Sequence, residues 1–364
     1  MTTYKLLTPG PLTTSGAVKA EMLFDRCTWD DEYKQITQKI RAQLLDIAAV
    51  SPAEYTAVLL QGSGSFGVEA VLTTAMKLQD KCLIITNGAY GDRIVTMANY
   101  MGICHAVYRA PYDQAPAAAD IRKILNGDKA ITHIAMVHCE TTTGILNPLE
   151  DIASLAKEYG KILIVDAMSS FGGIEINVHQ LGIDYLISSA NKCIQGVPGF
   201  CFVLAKLETF LHCQGNARSL SLDLYDQWKH MDKDGKWRYT SPTHVVAAFS
   251  KALDELTAEG GVAARYKRYQ ENNHLLRQKL KNRGIEAYIK EELQSPIITT
   301  FLFPYEHFNF ADFYHYVKER GFVLYPGKLT DVDTFRIGNI GEIYKEDIQK
   351  LCGIIETYMR RQKQ

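Results

Sequence analysis

The sequence has no excess of either charge and no long uncharged run. It contains 40 lysines and arginines against 41 acidic residues, a formal net charge of −1, and no long block of like charge. A nucleic-acid-binding surface needs clustered basic residues, so this class of protein is not expected. The longest run without Asp, Glu, Lys or Arg is 94–108, shorter than the roughly 18 apolar residues of a membrane-spanning helix. We therefore predict neither a nucleic-acid partner nor a membrane span.

Zinc-binding and secretory patterns are also missing. The eight cysteines form no Cys-x-x-Cys pair, and the nearest two, Cys193 and Cys201, are eight positions apart, so no metal site is expected. The first residues, MTTYKLLTPGP, contain no basic region followed by an apolar core, which argues against a secretory signal. Cys82 and Cys201 lie in apolar runs, where a free thiol acts as a small hydrophobic group. A reducing, cytoplasmic compartment is therefore predicted.

What is present is the composition of an ordinary folded protein. The 364 residues, 46% hydrophobic and 22% charged, are more than twice the length of one average domain. Up to about residue 242, apolar runs alternate with segments of helical period; the runs are AVLL, CLIIT, ITHIAMVH, KILIVDA, DYLISSA and GFCFVLA. Strands that are apolar on both faces and alternate with helices are typical of a mainly parallel sheet between two helical layers.

The pattern changes after residue 242. Long helical segments are followed by strand-like SPIITTFLF, helical FADFYHYVKERG, strand-like FRIGN and a last helix, which indicates a smaller α+β domain. The sequence thus predicts an extended arm over residues 1–14, a large three-layer α/β/α domain over 15–242 and a small C-terminal domain over 243–364.

The segment GSGSFGVEA, Gly62–Ala70, is a glycine-rich turn between a predicted strand and a predicted helix. Backbone N–H groups and the helix dipole at such a turn can bind a phosphate. Gly62, Gly64 and Gly67 also match the Gly-x-Gly-x-x-Gly pattern of dinucleotide sites. Two facts weaken that alternative: the pattern begins far from the N-terminus, and about twenty residues later Lys81 and Cys82 stand where an acidic residue would bind a ribose. A purely structural turn is the third interpretation.

Two more polar residues follow apolar strands. Asp166 ends the run KILIVDA, at the strand ends where open α/β sheets bind ligands, and a carboxylate there needs a cationic or hydrogen-bonding partner. Lys192 follows DYLISSA among small residues, where desolvation would lower its pKa, as a Schiff-base lysine requires. The structural alternatives are a helix cap or hydroxyl partner for Asp166 and a surface loop position for Lys192.

A phosphate site, a strand-end carboxylate and a nearby lysine together match the phosphate, ring nitrogen and aldehyde of pyridoxal 5′-phosphate. Characteristic motifs extend over essentially the whole chain: LTPGPL, DRCTWDDEY, GSGSFGVEA, NGAYGDR, ETTTG, VDAMSSFGG, SSANKCIQGVPG, RSLSLDLYDQW, TSPTH and FRIGNIG. On these motifs the sequence resembles the class V branch of the fold-type I pyridoxal-phosphate aminotransferases. The resemblance implies a fold-type I transferase with a large and a small domain, and pyridoxal 5′-phosphate as its cofactor.

The resemblance also implies roles for individual residues. Lys192 would form the Schiff base with the cofactor aldehyde and carry the proton to and from the substrate carbon, and Asp166 would pair with the protonated pyridine nitrogen. Arg336 in FRIGN would bind the substrate anion, with a surface arginine at a strand end as the alternative. The other expected cofactor contacts are Ser63, Gly64, Ser65 and Asn191 at the phosphate, Tyr90 and Met168 on the two ring faces, and Thr141 at the ring hydroxyl. Family dimers complete the phosphate site from the partner subunit, which predicts a homodimer and points to Thr240, with Trp237 nearby.

The activity implied by the resemblance is transfer of the amino group of 2-aminoethylphosphonate to pyruvate, giving phosphonoacetaldehyde and alanine. A dianionic phosphonate needs a cationic pocket, to which Arg26 and Arg218 could also contribute. The alternatives are a transaminase of the same branch that uses serine or alanine with glyoxylate or pyruvate, a cysteine desulfurase, an NAD-dependent oxidoreductase, and a cofactor-binding protein without turnover. A desulfurase needs a reactive cysteine on a late loop, whereas Cys352, the only cysteine after Cys213, lies in a helical pattern.

Overall fold

The computed structural model describes residues 4–329 and 331–362. Its strands are β1 (Lys5–Leu6), β2 (Tyr55–Gln61), β3 (Lys81–Thr86), β4 (His105–Arg109), β5 (Ile131–Val137), β6 (Cys139–Glu140), β7 (Ile145–Leu146), β8 (Ile162–Asp166), β9 (Tyr185–Ser189), β10 (Phe200–Lys206), β11 (Ile298–Leu302), β12 (Phe322–Val323), β13 (Tyr325–Pro326) and β14 (Thr334–Gly338). Its α-helices are α1 (Gly16–Ala20), α2 (Asp31–Ile47), α3 (Gly64–Ala75), α4 (Ala89–Tyr100), α5 (Ala118–Gly127), α6 (Leu149–Glu158), α7 (Val178–Leu181), α8 (Leu207–Phe210), α9 (Leu224–Asp234), α10 (Thr243–Glu259), α11 (Gly261–Lys281), α12 (Phe310–Lys318) and α13 (Lys345–Arg361). Single-turn 3₁₀ helices lie at Glu21–Leu23, Leu211–Cys213 and Glu291–Leu293.

A seven-stranded sheet in the order β2-β10-β9-β8-β5-β3-β4 lies at the centre of the larger part. The strand β10 runs antiparallel to both of its neighbours, and the other pairs are parallel. Successive residues of β3 are buried on opposite faces: Leu83 and Ile85 join one hydrophobic cluster, while Cys82 and Ile84 join the other. Helices cover both faces, so the predicted three-layer α/β fold with a mainly parallel sheet is confirmed. Sequence analysis missed β4, an edge strand that is only partly buried.

The C-terminal part has its own sheet and its own core. The strands β11, β14 and β13 form an antiparallel sheet, and Phe301, Phe313 and Phe335 lie in a cluster with residues of α13 such as Ile355. The described part of the predicted arm is bound to this region, because β1 pairs in parallel with β12. The arm therefore connects the beginning of the chain to its last third.

Helix α10 packs on the large sheet and not on the C-terminal core. The ring of Phe249 lies 5.0 Å from that of Phe200 and 5.9 Å from that of Phe202, and both partners belong to β10. The predicted boundary between residues 242 and 243 thus separates this helix from the core that it helps to form. We propose instead a boundary at Gly260, whose φ of +107° allows the sharp change of direction from α10 to α11.

Candidate active site

A cavity of about 230 Å³ lies at the carboxyl edge of the large sheet. The parallel strands β2, β3, β5, β8 and β9 all end there, as expected for a ligand site in an open α/β sheet. Eight of the residues predicted for the site line this cavity: Ser63, Gly64, Ser65, Tyr90, Asp166, Met168, Asn191 and Lys192. Local sequence pattern had suggested the glycine-rich turn, Asp166 and Lys192, and the family resemblance implied the others; the sheet brings them together.

Lys192 lies just after β9, and its side chain lines the cavity. The ammonium donates a hydrogen bond of 3.1 Å to the carbonyl oxygen of Pro9 in the N-terminal arm. Burial lowers the pKa of Lys192, although the charges of Tyr90 and Asp166 act in the opposite direction. A larger fraction of neutral amine results, which is the form that attacks a carbonyl. The surface-loop interpretation of Lys192 is therefore wrong.

Asp166 is the last residue of β8, and 8% of its surface is exposed. Its Oδ1 accepts a hydrogen bond of 2.9 Å from the backbone N–H of Met168. Burial raises the pKa of Asp166 to about 6, although the Met168 N–H and the Lys192 charge favour the ionised form. Within the described residues, Asp166 forms no salt bridge. The carboxylate consequently favours a cationic group placed in the cavity.

The glycine-rich turn forms the beginning of α3. Ser63 is the N-cap residue, and its hydroxyl does not cap the helix, so the first N–H groups of α3 face the cavity rim. The guanidinium of Arg93 lies 3.5 Å from the Ser65 hydroxyl and adds positive charge. A Cβ on Gly64 would lie 2.4 Å from the sulfur of Met168, so a larger residue would displace Met168 from the cavity. These groups together can bind a phosphate.

Tyr90 begins α4 and is surrounded by cations. The ammonium of Lys328 lies 4.0 Å from the centre of its ring, and the guanidinium carbon of Arg93 lies 5.0 Å from it. Burial by itself would raise the pKa of Tyr90, but the charges of Lys328 and Lys192 outweigh burial, and the pKa is lowered. Sequence analysis assigned neither Arg93 nor Lys328 to the site. Arg93 lies one helical turn after Tyr90 on α4, whereas Lys328 reaches the ring from a distant segment of the chain.

Arg336 lies in the middle of β14, with 5% of its surface exposed. It donates hydrogen bonds of 3.0 Å from Nη1 to the carbonyl oxygen of Thr141 and from Nε to that of Pro326. Burial lowers its pKa, and interactions with Tyr90 oppose this effect. Arg336 and Thr141 thus stand beside Tyr90, behind the cavity wall. The interpretation of Arg336 as a surface arginine is wrong.

Glu140 is a fully buried carboxylate that sequence analysis did not single out, although it begins the motif ETTTG. Its Oε2 accepts backbone N–H groups of Tyr90 at 3.2 Å and Gly91 at 3.1 Å. Its Oε1 accepts the N–H of Thr142 at 3.1 Å and the Thr142 hydroxyl at 2.6 Å. Glu140 therefore satisfies the first turn of α4 and fixes the position of Tyr90.

Four other expected residues lie away from the cavity. Trp237 is buried in its own chain, where its indole N–H donates to the Thr37 hydroxyl at 3.2 Å. Thr240 is exposed, beside Gly62 on the outer side of the glycine-rich turn. The guanidinium groups of Arg26 and Arg218 bind Glu21 and the Met101 carbonyl, respectively, and neither side chain lines the cavity.

The described residues fit pyridoxal 5′-phosphate. The helix start at Ser63 and Ser65 suits a phosphate, the buried Asp166 suits a protonated ring nitrogen, and the amine of Lys192 suits an aldehyde. By contrast, no cluster of three or more His, Cys, Asp or Glu residues suited to a metal ion occurs in residues 4–329 and 331–362. Over the same residues, no helix has the length and apolar character needed to cross a bilayer.

Comparison with known proteins agrees with this geometry. The sequence model of the family described as aminotransferase class-V matches residues 26–333, and the chain belongs to this family. Its cofactor is pyridoxal 5′-phosphate, and the oxidoreductase interpretation of the glycine-rich turn is wrong.

The most similar relatives define the protein more narrowly. The chain is 64% identical to the 2-aminoethylphosphonate–pyruvate transaminase of Lysinibacillus sphaericus strain C3-41, over 99% of this chain and 98% of that relative. It is 56% identical to the enzyme of the same name from Bacillus thuringiensis strain Al Hakam, over 97% of both chains. The alanine–glyoxylate aminotransferase of Nostoc sp. has the same fold, with a TM-score of 0.90, 23% identity and coverage of 99% of this chain and 96% of that one.

Proposed function

We propose that this chain transfers the amino group of 2-aminoethylphosphonate to pyruvate, forming phosphonoacetaldehyde and alanine. The substrates are those in the names of relatives that are 56–64% identical over nearly the whole chain. The observation that carries the chemistry is the single cavity that contains both the Lys192 amine and the unpaired Asp166 carboxylate. The competing interpretation, a transaminase for serine or alanine with glyoxylate, has support from fold similarity only.

The residues on the cavity wall divide the work of holding the cofactor. Asp166 would hold the ring nitrogen and Thr141 the ring hydroxyl, while Tyr90 and Met168 would contact the ring faces. When bound, pyridoxal 5′-phosphate supplies an aldehyde for the amino group and a conjugated ring that delocalises the electron pair left on the substrate carbon. The phosphate contacts would come from Ser63, Gly64, Ser65 and Asn191.

Lys192 and Asp166 control protons at two different atoms. Burial lowers the pKa of Lys192 and so favours the neutral amine, which can remove a proton from the nitrogen-bearing carbon of the substrate and return it. The Pro9 carbonyl accepts a hydrogen bond from this amine and so orients it. Asp166 keeps the proton on the ring nitrogen, because the positive nitrogen and the buried carboxylate stabilise each other.

Arg336 would hold the anionic end of each substrate in turn. Its hydrogen bonds to the carbonyl groups of Thr141 and Pro326 fix the plane of the guanidinium, which leaves its other N–H groups for the ligand. A planar guanidinium can bind a carboxylate or a phosphonate with two parallel hydrogen bonds. One side chain can therefore serve both the amino donor and pyruvate.

A homodimer in the cytoplasm belongs to the same proposal. The exposed position of Thr240, on the outer side of the turn that would bind the phosphate, supports a contact from a second subunit. The eight cysteines are unpaired thiols, and six of them are buried, which fits a reducing compartment.

The test is a comparison of amino donors with the purified enzyme. Each donor is mixed with the enzyme in the absence of an acceptor, and conversion of the cofactor to its amine form is followed by absorbance. The proposal predicts rapid conversion by 2-aminoethylphosphonate, slow conversion by serine, and formation of alanine when pyruvate is added. The Lys192→Ala variant is the control for spontaneous conversion. Faster conversion by serine than by 2-aminoethylphosphonate would contradict the proposed substrate.

A further inference from the structure

Lys328 and Arg336 belong to the same hairpin. Lys328 follows β13, and Arg336 lies in β14 directly opposite Tyr325. The hairpin is closed by a hydrogen bond of 2.9 Å from the N–H of Gly327 to the carbonyl of Thr334. Its two cations are therefore held on one structural unit, next to Tyr90 of the cavity wall.

Both cations of this hairpin reach Tyr90 of the large part of the chain. The ammonium of Lys328 lies 4.0 Å from the ring centre, and Arg336 interacts with the phenol. No carboxylate of the described residues lies within salt-bridge distance of Lys328. The nearby buried Glu140 accepts hydrogen bonds from Tyr90, Gly91 and Thr142. Burial raises the pKa of Glu140, although these hydrogen bonds and the charge of Lys328 act in the opposite direction. Lys328 thus feels the charge of Glu140 but forms no salt bridge with an acidic side chain in the described part of the chain.

The amino donor of the proposed reaction carries more negative charge than the acceptor. A carboxylate has one negative charge, whereas a phosphonate, like a phosphate with a second pKa of about 6, carries close to two near neutral pH. Arg336 can balance one of these charges. Arg93 cannot readily supply the second, because its guanidinium contacts the Ser65 hydroxyl at the turn that would bind the cofactor phosphate. Lys328 is the remaining cation beside Tyr90 and Arg336.

We propose that Lys328 binds the phosphonate group of the amino donor together with Arg336 and thereby favours phosphonate over carboxylate donors. This inference rests on the proposed function and deepens it. A lysine has a flexible stem and a compact charge, and a cation over a partly solvated ring is held weakly. The ammonium can therefore leave the face of Tyr90 for a dianionic ligand without disturbing the hairpin.

The test measures donor preference in the holoenzyme. The value of kcat/KM is determined for 2-aminoethylphosphonate and for alanine in wild type, Lys328→Met and Lys328→Arg. The ratio of the two values should fall about ten- to 150-fold in Lys328→Met, as expected for one lost charge-assisted hydrogen bond, and should largely recover in Lys328→Arg. Lys318→Met is the matched control, because Lys318 is also partly buried and lies 5.6 and 5.7 Å from tyrosine rings, but neither of these rings lines the cavity, whereas Tyr90 does. This control should leave the ratio unchanged.

A second measurement separates this inference from the proposed function. Ethylphosphonate and propanoate, which carry no amino group, are tested as inhibitors of the reaction between enzyme and alanine. Lys328→Met should weaken inhibition by ethylphosphonate much more than inhibition by propanoate. Equal losses for both donors and both inhibitors, or a changed cofactor absorption band, would mean that Lys328 only supports Tyr90, and would overturn the inference. A wild-type enzyme that does not convert 2-aminoethylphosphonate would overturn the proposed function, whereas the inhibitor pair would still measure phosphonate binding by Lys328.

Discussion

Replacing Asp166 with asparagine is expected to stabilise the cofactor-free protein while it damages the enzyme. Without cofactor, Asp166 is a buried carboxylate with no salt bridge among the described residues. Asparagine has nearly the same shape, and its carbonyl oxygen can still accept the N–H of Met168. The substitution therefore removes a buried charge and keeps the hydrogen bond. Turnover should fall strongly, because a neutral amide does not keep the proton on the ring nitrogen.

The magnitude follows from the pKa of Asp166. Burial raises it from an ordinary 3.8 to about 6. One pKa unit corresponds to about 1.4 kcal/mol, so the ionised side chain costs the folded protein about 3 kcal/mol of stability. The pKa of Asp166 is higher in the folded than in the unfolded protein. The cost is therefore absent below about pH 4, where the carboxyl is protonated in both states, and is complete once the pH has risen through about 6, where the folded carboxyl ionises. Asp166→Asn should thus exceed the wild type by about 3 kcal/mol at pH 8 and by about half of that at pH 5.

The assay is urea unfolding of both proteins after removal of the cofactor, at pH 8 and pH 5, with kcat measured on the reconstituted enzymes. The holoenzymes should differ less, since a positive ring nitrogen would compensate the wild-type carboxylate. If Asp166→Asn is no more stable than the wild type at pH 8, or if the difference does not depend on pH, the carboxylate is not the unpaired buried charge described above.

Three other substitutions test the cavity. Lys192→Ala should keep the fold, measured by circular dichroism, and lose turnover, because the amine that moves the proton is gone; kinetics close to wild type would refute its role. Arg336→Lys keeps the charge but loses the planar hydrogen bonds. It should lower kcat/KM about ten- to 150-fold for both 2-aminoethylphosphonate and pyruvate and leave the cofactor absorption band unchanged. A loss for one substrate alone would show that the two anions are bound by different side chains. Gly10→Ala places a Cβ 2.6 Å from Cδ of Lys192 and 2.8 Å from the Asn191 carbonyl, at a φ of +116°. The value of kcat should fall strongly while the melting temperature falls only slightly. An unaffected kcat would show that the arm does not position Lys192.

The residues that could be predicted from the sequence are those whose position follows from a single strand. Asp166 and Lys192 each follow an apolar run, and the carboxyl ends of parallel strands meet at one edge, so local pattern and sheet geometry together predict their proximity. The turn at Ser63 is marked in the same way by its glycines and the following helix. In these cases the residue type and the position after a strand both predict that the residue belongs to the site.

The residues that sequence analysis missed or misplaced depend on packing between distant segments. Glu140 reaches the start of α4, and Lys328 reaches Tyr90 from a hairpin more than two hundred residues later, and neither contact has a local pattern. Trp237 was expected near Thr240, and no local pattern indicated that its ring is buried against Phe200. The domain boundary that we propose at Gly260 also depends on packing, since the sequence pattern changes at residue 242 but helix α10, which follows, packs on the large sheet.

The N-terminal arm binds to a surface that is synthesised last. Lys5 forms a salt bridge of 3.0 Å with Asp347, and β1 pairs with β12, so the first described residues bind to the last part of the chain. A ribosome delivers the arm first and its binding surface last, and domains of a growing chain fold in the order in which they emerge. The Pro9 carbonyl can reach Lys192 in this arrangement only after the C-terminal core has formed. A nascent chain that already contains the large sheet should therefore hold its reactive lysine without the arm that orients it.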